Sequence, residues 1–307
     1  MRIGIIGLGD IARKAYLPVI TARNDVELVF CTRNTATLEQ LASTYRISET
    51  ITEVDDLISR GIRAAFVHSS TESHAEITKQ LLQNGIHVYV DKPIAYTYEE
   101  SLELTELAEK NGLILMVGFN RRFAPLYVSV KEKSSPNLIL MQKNRPHSPN
   151  YARRFILDDF IHVVDTLRYL VPGAVRDINV TSHQQDGKLY HVMLQLSGDG
   201  YTAVGMMNRD SGGSEETVET IGGGRKWSVK DLNTAVELAD GGERHYKFND
   251  WDPVLHRRGF HAIIDHFIQT VKEGGQPLQS TRDALETHRV CEEIVKELEK
   301  QGVSAWG

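Results

Sequence analysis

The sequence predicts an α/β protein of two domains, a doubly wound parallel sheet over residues 1–120 and a strand-rich α/β domain over residues 121–307. Three observations predict it. An apolar β-branched run (Ile3, Ile5, Ile6) leads straight into the turn Gly7-Leu8-Gly9-Asp10-Ile11-Ala12. Strand-like and helix-like segments then alternate as far as Gly118, the pattern of parallel strands joined by crossover helices. Beyond about Arg121 the alternation stops and period-2 runs follow one another, which calls for mostly antiparallel pairing.

The first turn fits the G-x-G-x-x-G/A fingerprint of a dinucleotide-binding βαβ unit. Gly7 permits the tight turn, Gly9 lets the backbone approach a pyrophosphate, and Ala12 lets the helix pack closely on the strand. The free amides of that helix start, from Leu8, Asp10 and Ile11 onward, then face phosphate. Residues 12–22 are helical in composition, with Pro18 expected to break or restart the helix. Residues 26–31 (VELVFC) form the second strand. NAD-selective units place an acid at the end of this strand, on the ribose 2′-hydroxyl. Here Thr32-Arg33-Asn34 follows, and a hydroxyl beside a guanidinium suits a 2′-phosphate, so NADP(H) is favoured over NAD(H). The alternative reading of Arg33 is a solvated charge at the start of the next helix.

Residues 35–45 read as a helix and 62–68 (IRAAFVH) as a buried strand. That strand ends in Ser69-Ser70-Thr71-Glu72-Ser73-His74, followed by a helix to Asn84 with Gly85 as its stop. Residues 86–90 (IHVYV) run into Asp91-Lys92-Pro93, residues 98–111 form an amphipathic helix ended by Gly112, and residues 113–118 (LILMVG) return as a strand. Each polar cluster lies at the carboxyl end of a strand, where open α/β sheets bind ligands. In the second half, strands are expected over 137–143, 175–182, 189–196, 201–207, 217–221, 226–229, 235–239 and 244–248. Helices are expected over 260–272 and 281–300.

Composition narrows the class of function. The chain has 307 residues, 41% hydrophobic and 25% charged, with a net charge of −6, the balance of a globular protein without the basic face of a nucleic-acid binder. No apolar run approaches the ~18–20 residues that cross a bilayer, and the chain opens directly on a strand. A cytoplasmic protein with no membrane or nucleic-acid partner is expected. The two cysteines, Cys31 and Cys291, form no CxxC pair and are expected as buried thiols. His256, His261 and His266 recur every five residues, which does not place imidazoles on one helical face, so no metal is expected.

Taken together, Gly7-x-Gly9-x-x-Ala12, Ser69–His74, Asp91-Lys92-Pro93 and Gly118-Phe119-Asn120-Arg121-Arg122-Phe123 resemble the Gfo/Idh/MocA oxidoreductases in order and spacing. Asp158-Asp159-Phe160-Ile161-His162-Val163-Val164-Asp165 resembles that family's D-x-x-x-H-x-x-D helix, and the motifs jointly resemble the MviM branch. The resemblance covers essentially the whole chain. It implies a Rossmann domain followed by a domain built on a large, mostly antiparallel open sheet, a face of which commonly forms a homodimer. It implies catalysis by Lys92, Asp158 and His162 on a small-molecule substrate, and it favours a cis bond before Pro93. Asp91 replaces the family's usual Glu, Ser69-Ser70 replaces a common Thr-Pro, and Phe160 stands where Gly is usual, which could narrow a substrate pocket.

The residues themselves support those roles in part. A strand-end Lys92 can hydrogen-bond a carbinol oxygen; the competing reading is a surface lysine in a proline turn. Asp158 and His162 are four apart on a helix and share a face, with Asp165 near the same stripe. A histidine titrates near neutrality and suits proton transfer; the competing reading is a helix histidine beside an i−4 carboxylate. Arg145, Arg153 and Arg154 would grip an anionic or polyhydroxylated substrate or else are solvated charges. Asn120 and Arg121 are expected to border the cofactor or an interdomain hinge, and Trp251 is a candidate pocket wall or a core residue. Val192, Leu194, Val204 and Met206 are expected to give an open sheet face its apolar cover, in a homodimer or higher oligomer, unless the chain's own helices cover it. The expected function is hydride transfer between a nicotinamide dinucleotide and a secondary alcohol or ketone of a sugar-like or cyclitol-like molecule. The alternative is a non-catalytic dinucleotide sensor of the same fold.

Overall fold

The computed structural model describes residues 1–306 and divides into two compact units, one of Met1–Gly118 with Phe260–Glu286, the other of Phe119–Gly259 with the chain from Thr287 on. The first unit holds six parallel strands: β1 (Arg2–Ile6), β2 (Glu27–Cys31), β3 (Glu49–Ile51), β4 (Ala64–Val67), β5 (His87–Val90) and β6 (Leu115–Val117). Their order, β3-β2-β1-β4-β5-β6, reverses direction between β1 and β4. That reversal opens a crevice at the strands' carboxyl ends. Ile3, Ile5, Val29, Phe30, Ala65, Phe66, Val88 and Tyr89 are buried, as strands covered on both faces require.

The segment Phe260–Glu286 belongs to this first unit, whereas the sequence reading assigns all of 121–307 to the second. Aromatic packing and ion pairs explain the difference. Phe260 meets Tyr16 edge-on at 5.3 Å, and Phe267 meets Phe66 at 5.1 Å and Tyr89 at 5.5 Å. Arg282 grips Glu109, Asp265 pairs with Arg23, and Thr281 donates to the Leu115 carbonyl at 2.7 Å. In this first unit two short elements, β3 and the Val54–Ser59 helix, escape the sequence reading; three-residue and six-residue elements are too brief to show a period. Pro18 restarts its helix, one of the two outcomes expected of it. The chain passes through a wide π-helical turn, Ala12–Tyr16, and continues as Leu17–Ile20, with the proline in the first turn of that segment where no N–H is needed.

The second unit is built on eight strands: β7 (Leu138–Asn144), β8 (Asp177–Gln185), β9 (Lys188–Gly198), β10 (Tyr201–Asn208), β11 (Glu215–Gly222), β12 (Arg225–Lys230), β13 (Thr234–Ala239) and β14 (Gly242–Lys247). They lie in the order β14-β13-β12-β11-β7-β10-β9-β8. All neighbours are antiparallel except β7 and β10, which run parallel. A parallel pair needs a long crossover, and the helix running from Ala152 to Leu170 lies within that crossover. It sits close on the sheet because Gly205 has no side chain. A Cβ there would come within 2.5 Å of Val163 Cγ1 and 2.8 Å of Leu167 Cδ1.

Register divides the four residues expected on the open face. Gly205 pairs with Leu194 and Met207 with Val192, so Val192 and Leu194 share the helix-covered face and are fully buried. Only Val204 and Met206 stay half-buried, and Met193, 42% exposed, joins them on the other face. Cys31 and Cys291 are free and buried. No described helix is long and apolar enough to cross a membrane.

Candidate functional site

The glycine turn between β1 and the first helix builds one wall of a cleft of about 820 Å³ in the first unit. Gly7 has φ +84° and donates its N–H to the Cys31 carbonyl at 2.9 Å. A Cβ on it would lie 2.4 Å from Ser69 N and 2.6 Å from His68 C. Only glycine lets the turns after β1 and β4 meet. Gly9 differs: a Cβ on it would meet nothing within 4 Å. Its bareness serves no internal packing and leaves the backbone open to the cleft, which is what a pyrophosphate needs. Ala12 is fully buried beneath.

Leu8, Asp10, Ile11, Thr32, Arg33, Ser69 and Ser70 also line the cleft. Asn34 caps the following helix by accepting from Thr37 N at 3.0 Å. Ser73, from the expected Ser69–His74 cluster, lines the same cleft, as do Glu53 and Asp55 from the Val54–Ser59 region, His68, Glu76 and Gln80, which sequence reasoning missed. A G-x-G motif carries no signal for them, because they come from the Val54–Ser59 and Thr71–Gln83 helices and the strand-end turns that the sheet order brings alongside.

Thr71 and His74 begin the Thr71–Gln83 helix. His74 is buried, its ring nitrogens 2.8 Å from the Pro93 carbonyl and 3.0 Å from the Ser69 carbonyl, so it ties two strand-end turns together rather than lining the cleft. Asp91 is buried as well. Its Oδ1 accepts from the Lys92 amide at 2.9 Å and from the Tyr16 hydroxyl at 3.3 Å, and Tyr16 and Tyr89 exchange a 3.0 Å hydrogen bond. Burial and the Asp91 carboxylate keep both phenols well above their ordinary range. The Lys92–Pro93 bond is cis and Lys92 is half-buried. His68 stacks on Tyr16 at 3.8 Å, neither of its nitrogens has a hydrogen-bond partner, and burial pushes it down to about 3. It is a neutral imidazole at physiological pH.

In the second unit, Asp158 lies in the π-helical turn Ile156–Phe160 and His162 in the α-helix Ile161–Leu170. From Ala152 to Leu167 every residue is buried except Arg154, Asp158 and His162. Spaced by four, these three make a half-buried stripe along that stretch. π-Helical turns inside α-helices recur at functional sites. Asp165 is not on that stripe. It is 1% exposed and accepts from Arg122 Nε and Nη2 at 2.7–3.1 Å and from Thr287 at 3.0 Å, a buried structural anchor. Phe160 is also fully buried, in the core rather than at a pocket.

Several of the expected site residues hold partners within the chain. Arg121 is buried and donates to Glu216 twice, at 2.9 and 2.6 Å, with Tyr127 adding a 3.0 Å bond. Burial alone would raise the Glu216 carboxyl, but Arg121 outweighs it and holds the group below its usual range. Asn120 donates to the Arg258 carbonyl at 2.8 Å. Arg153 is buried in a two-bond pair with Glu292, so it is not a substrate arm. Trp251 is 95% exposed in a short turn closed by Asn249 and Asp252, with no wall for it to join. Arg145 remains partly open beside Asp159. Among the described residues no group of His, Cys, Asp or Glu is placed to hold a metal.

Known proteins share this arrangement. A model of an oxidoreductase family with an NAD-binding Rossmann fold matches residues 1–119, and a YceM-like C-terminal domain model matches residues 125–239. YceM of Salmonella typhimurium is 35% identical over 302 residues, 96% of this chain and 97% of that protein. The crystal structure of the dehydrogenase MviM from Clostridium difficile superposes with a TM-score of 0.92 at 35% identity, covering 97% of this chain and 99% of that one. The myo-inositol 2-dehydrogenase of Thermotoga maritima is 26% identical over 320 positions, 92% of each chain. The chain belongs to the Gfo/Idh/MocA family of oxidoreductases.

Proposed function

We propose that the protein is an NAD(P)-dependent dehydrogenase or reductase that interconverts a secondary alcohol and its ketone on a sugar-like or cyclitol-like molecule. The observation that carries this reading is that Asp158 and His162 stay half-buried, four residues apart, on a stretch otherwise buried from Ala152 to Leu167 apart from Arg154. Ionisable groups kept part-exposed in such surroundings are candidates for meeting a polar ligand. The similarity to a myo-inositol 2-dehydrogenase supports the cyclitol-like substrate class.

The cleft beside Gly7 and Gly9 fits a dinucleotide. The Gly9 backbone and the amides of Asp10 and Ile11 would hold the pyrophosphate, and Thr32 and Arg33 a 2′-phosphate, which favours NADP(H) over NAD(H). Such a cofactor supplies the hydride acceptor or donor. The chain's own residues do the proton work. Lys92 Nζ donates to the carbinol oxygen and stabilises the negative charge that builds there. His162 takes the hydroxyl proton during oxidation and returns it during reduction. Asp158, four residues earlier on the same stripe, orients the imidazole. The half-exposed face bearing Met193, Val204 and Met206 is the surface for a second copy of the chain in a homodimer, and the site of action is the cytoplasm.

The test has two arms. NADPH at about 100 times its dissociation constant stabilises the fold by about 2.7 kcal/mol, and NADH does so only at higher concentration. No thermal shift with either nucleotide refutes the reading. A screen of sugars and polyols followed by nicotinamide absorbance then finds turnover, which Lys92→Ala and His162→Ala each reduce by about 10²–10⁴-fold. Turnover at wild-type rates in both variants refutes the assigned roles. Nucleotide binding without turnover on any compound points instead to a dinucleotide sensor.

A further inference from the structure

A cationic cluster beside the Asp158–His162 stripe is not explained by the fold. Because β7 and β10 run parallel, their carboxyl ends lie side by side, with Arg145 N donating to Asn208 O at 2.9 Å and Ser148 N to Arg209 O at 2.8 Å. Lys143, Arg145 and Arg209 all converge there on one carboxylate, Asp159. Lys143 donates to Oδ1, Arg145 Nε reaches Oδ2 at 3.1 Å, and Arg209 Nη2 stands 3.9 Å away. Two guanidiniums and the Lys143 amine thus share one neighbouring carboxylate, with Asp158 adding a more distant field on Arg209.

The guanidiniums are also under-used. Arg209 is only 13% exposed and lies over the Phe155 ring at 5.0 Å. Its Nε is bonded to Ser148 Oγ at 3.2 Å, but its Nη1 is buried without a partner. Arg145 spends Nε on Asp159 and is 46% exposed. By contrast Arg121 and Arg122 each hold a two-oxygen carboxylate through both Nε and Nη2. A buried guanidinium N–H left unpaired is costly, and a fixed excess of positive charge at a half-open position is an anion site.

We propose that the substrate carries an anionic group, a carboxylate or a phosphate, whose oxygens dock on Arg145 and Arg209. This narrows the sugar-like or cyclitol-like substrate to its acids and phosphate esters, and it rests on the reading that the Asp158–His162 stripe meets substrate. Asp159 borders both features, since it follows Asp158 in the chain and anchors the cluster. The charge excess is felt by Lys143 too: burial first, then Arg121 and Arg145, pull its ammonium down to about 7 in spite of Asp159. An anion seated on the arginines relieves that repulsion.

The experiment uses the full chain without nucleotide, so it does not depend on turnover. Inorganic phosphate and acetate are titrated at constant ionic strength and followed by calorimetry. The wild type is compared with Arg145→Gln, at a half-exposed side chain, and with Arg209→Gln, the fold of each variant being checked by its melting temperature. Arg33→Gln reports whatever share the nucleotide cleft takes. Binding that weakens roughly tenfold or more in both Arg145→Gln and Arg209→Gln, about 1.4 kcal/mol, and persists in Arg33→Gln bears the proposal out. A response to phosphate alone identifies a phosphate ester, and a response to acetate also identifies an acid. No binding of either anion at tens of millimolar, or binding lost only in Arg33→Gln, overturns the proposal. That result would leave the oxidoreductase reading intact, because NADPH binding is measured separately.

Discussion

Alanine at Gly7 and alanine at Gly9 should fail for different reasons, and the structure says how much each costs. Gly7→Ala puts a side chain at φ +84° and drives its Cβ to within 2.4–2.7 Å of the Ser69 and His68 backbone. The left-handed conformation costs about 1–2 kcal/mol, and forcing two backbone turns apart adds about 1–3 kcal/mol. The sum, about 2–5 kcal/mol, lowers the melting temperature of a unit this size by about 5–15 °C. Gly9→Ala meets nothing within 4 Å and has no positive φ to defend. The nucleotide-free protein should be unchanged, or more stable by up to about 1 kcal/mol, because the unfolded chain loses freedom. Bound nucleotide should reveal the defect, with the NADPH dissociation constant rising roughly tenfold or more, about 1.4 kcal/mol. Differential scanning calorimetry with and without NADPH reads both effects. An unshifted melting temperature in Gly7→Ala, or wild-type NADPH affinity in Gly9→Ala, would refute the reasoning.

Three further outcomes are expected. Arg121→Met strands Glu216 in a buried site with Tyr127 as its remaining side-chain donor; urea unfolding should show a loss of about 3–5 kcal/mol, and Arg121→Met/Glu216→Leu should recover part of it. Lys143 is depressed to about 7 in the folded chain, below its unfolded value of about 10.4. The unfolded state therefore holds a proton that the folded state has lost, and this residue's share of stability rises with pH between those values and levels off below the lower one. The wild type minus Lys143→Met difference in unfolding free energy, measured across that window, should show this slope, and a flat difference would sink the assignment. Gly205→Ala must push back Val163 and Leu167, since its Cβ would lie 2.5–2.8 Å from their methyls; it should cost about 1–3 kcal/mol, while Gly212→Ala, with open space around it, should cost nothing measurable.

Much of the fold is legible because its causes are local. The helix expected over residues 35–45 is found as Thr35–Tyr45, and all eight strands expected after residue 136 are present within a few residues. Alternation of apolar and polar residues, turn glycines and helix stops act over a few positions and survive in any fold that uses them. The glycine turn is legible for the same reason, Gly7 and Gly9 lying two positions apart in the chain. Asp165 shows where that reasoning ends. Spacing puts it near the Asp158–His162 stripe, yet the wide turn at Ile156–Phe160 and the pull of Arg122 and Thr287 turn it inward.

The sequence by itself determined the parallel sheet, the antiparallel succession that follows it, the glycine turn and the helix bearing Asp158 and His162. Tertiary structure decided which charges are spent and which stay open. It gave Arg121 to Glu216 and Arg153 to Glu292, left Trp251 in solvent, placed Phe260–Glu286 with the nucleotide unit, and gathered Lys143, Arg145 and Arg209 around Asp159. Pairings between residues dozens of positions apart depend on sheet order and strand register. Those are properties of the whole packed chain, and no window of sequence contains them.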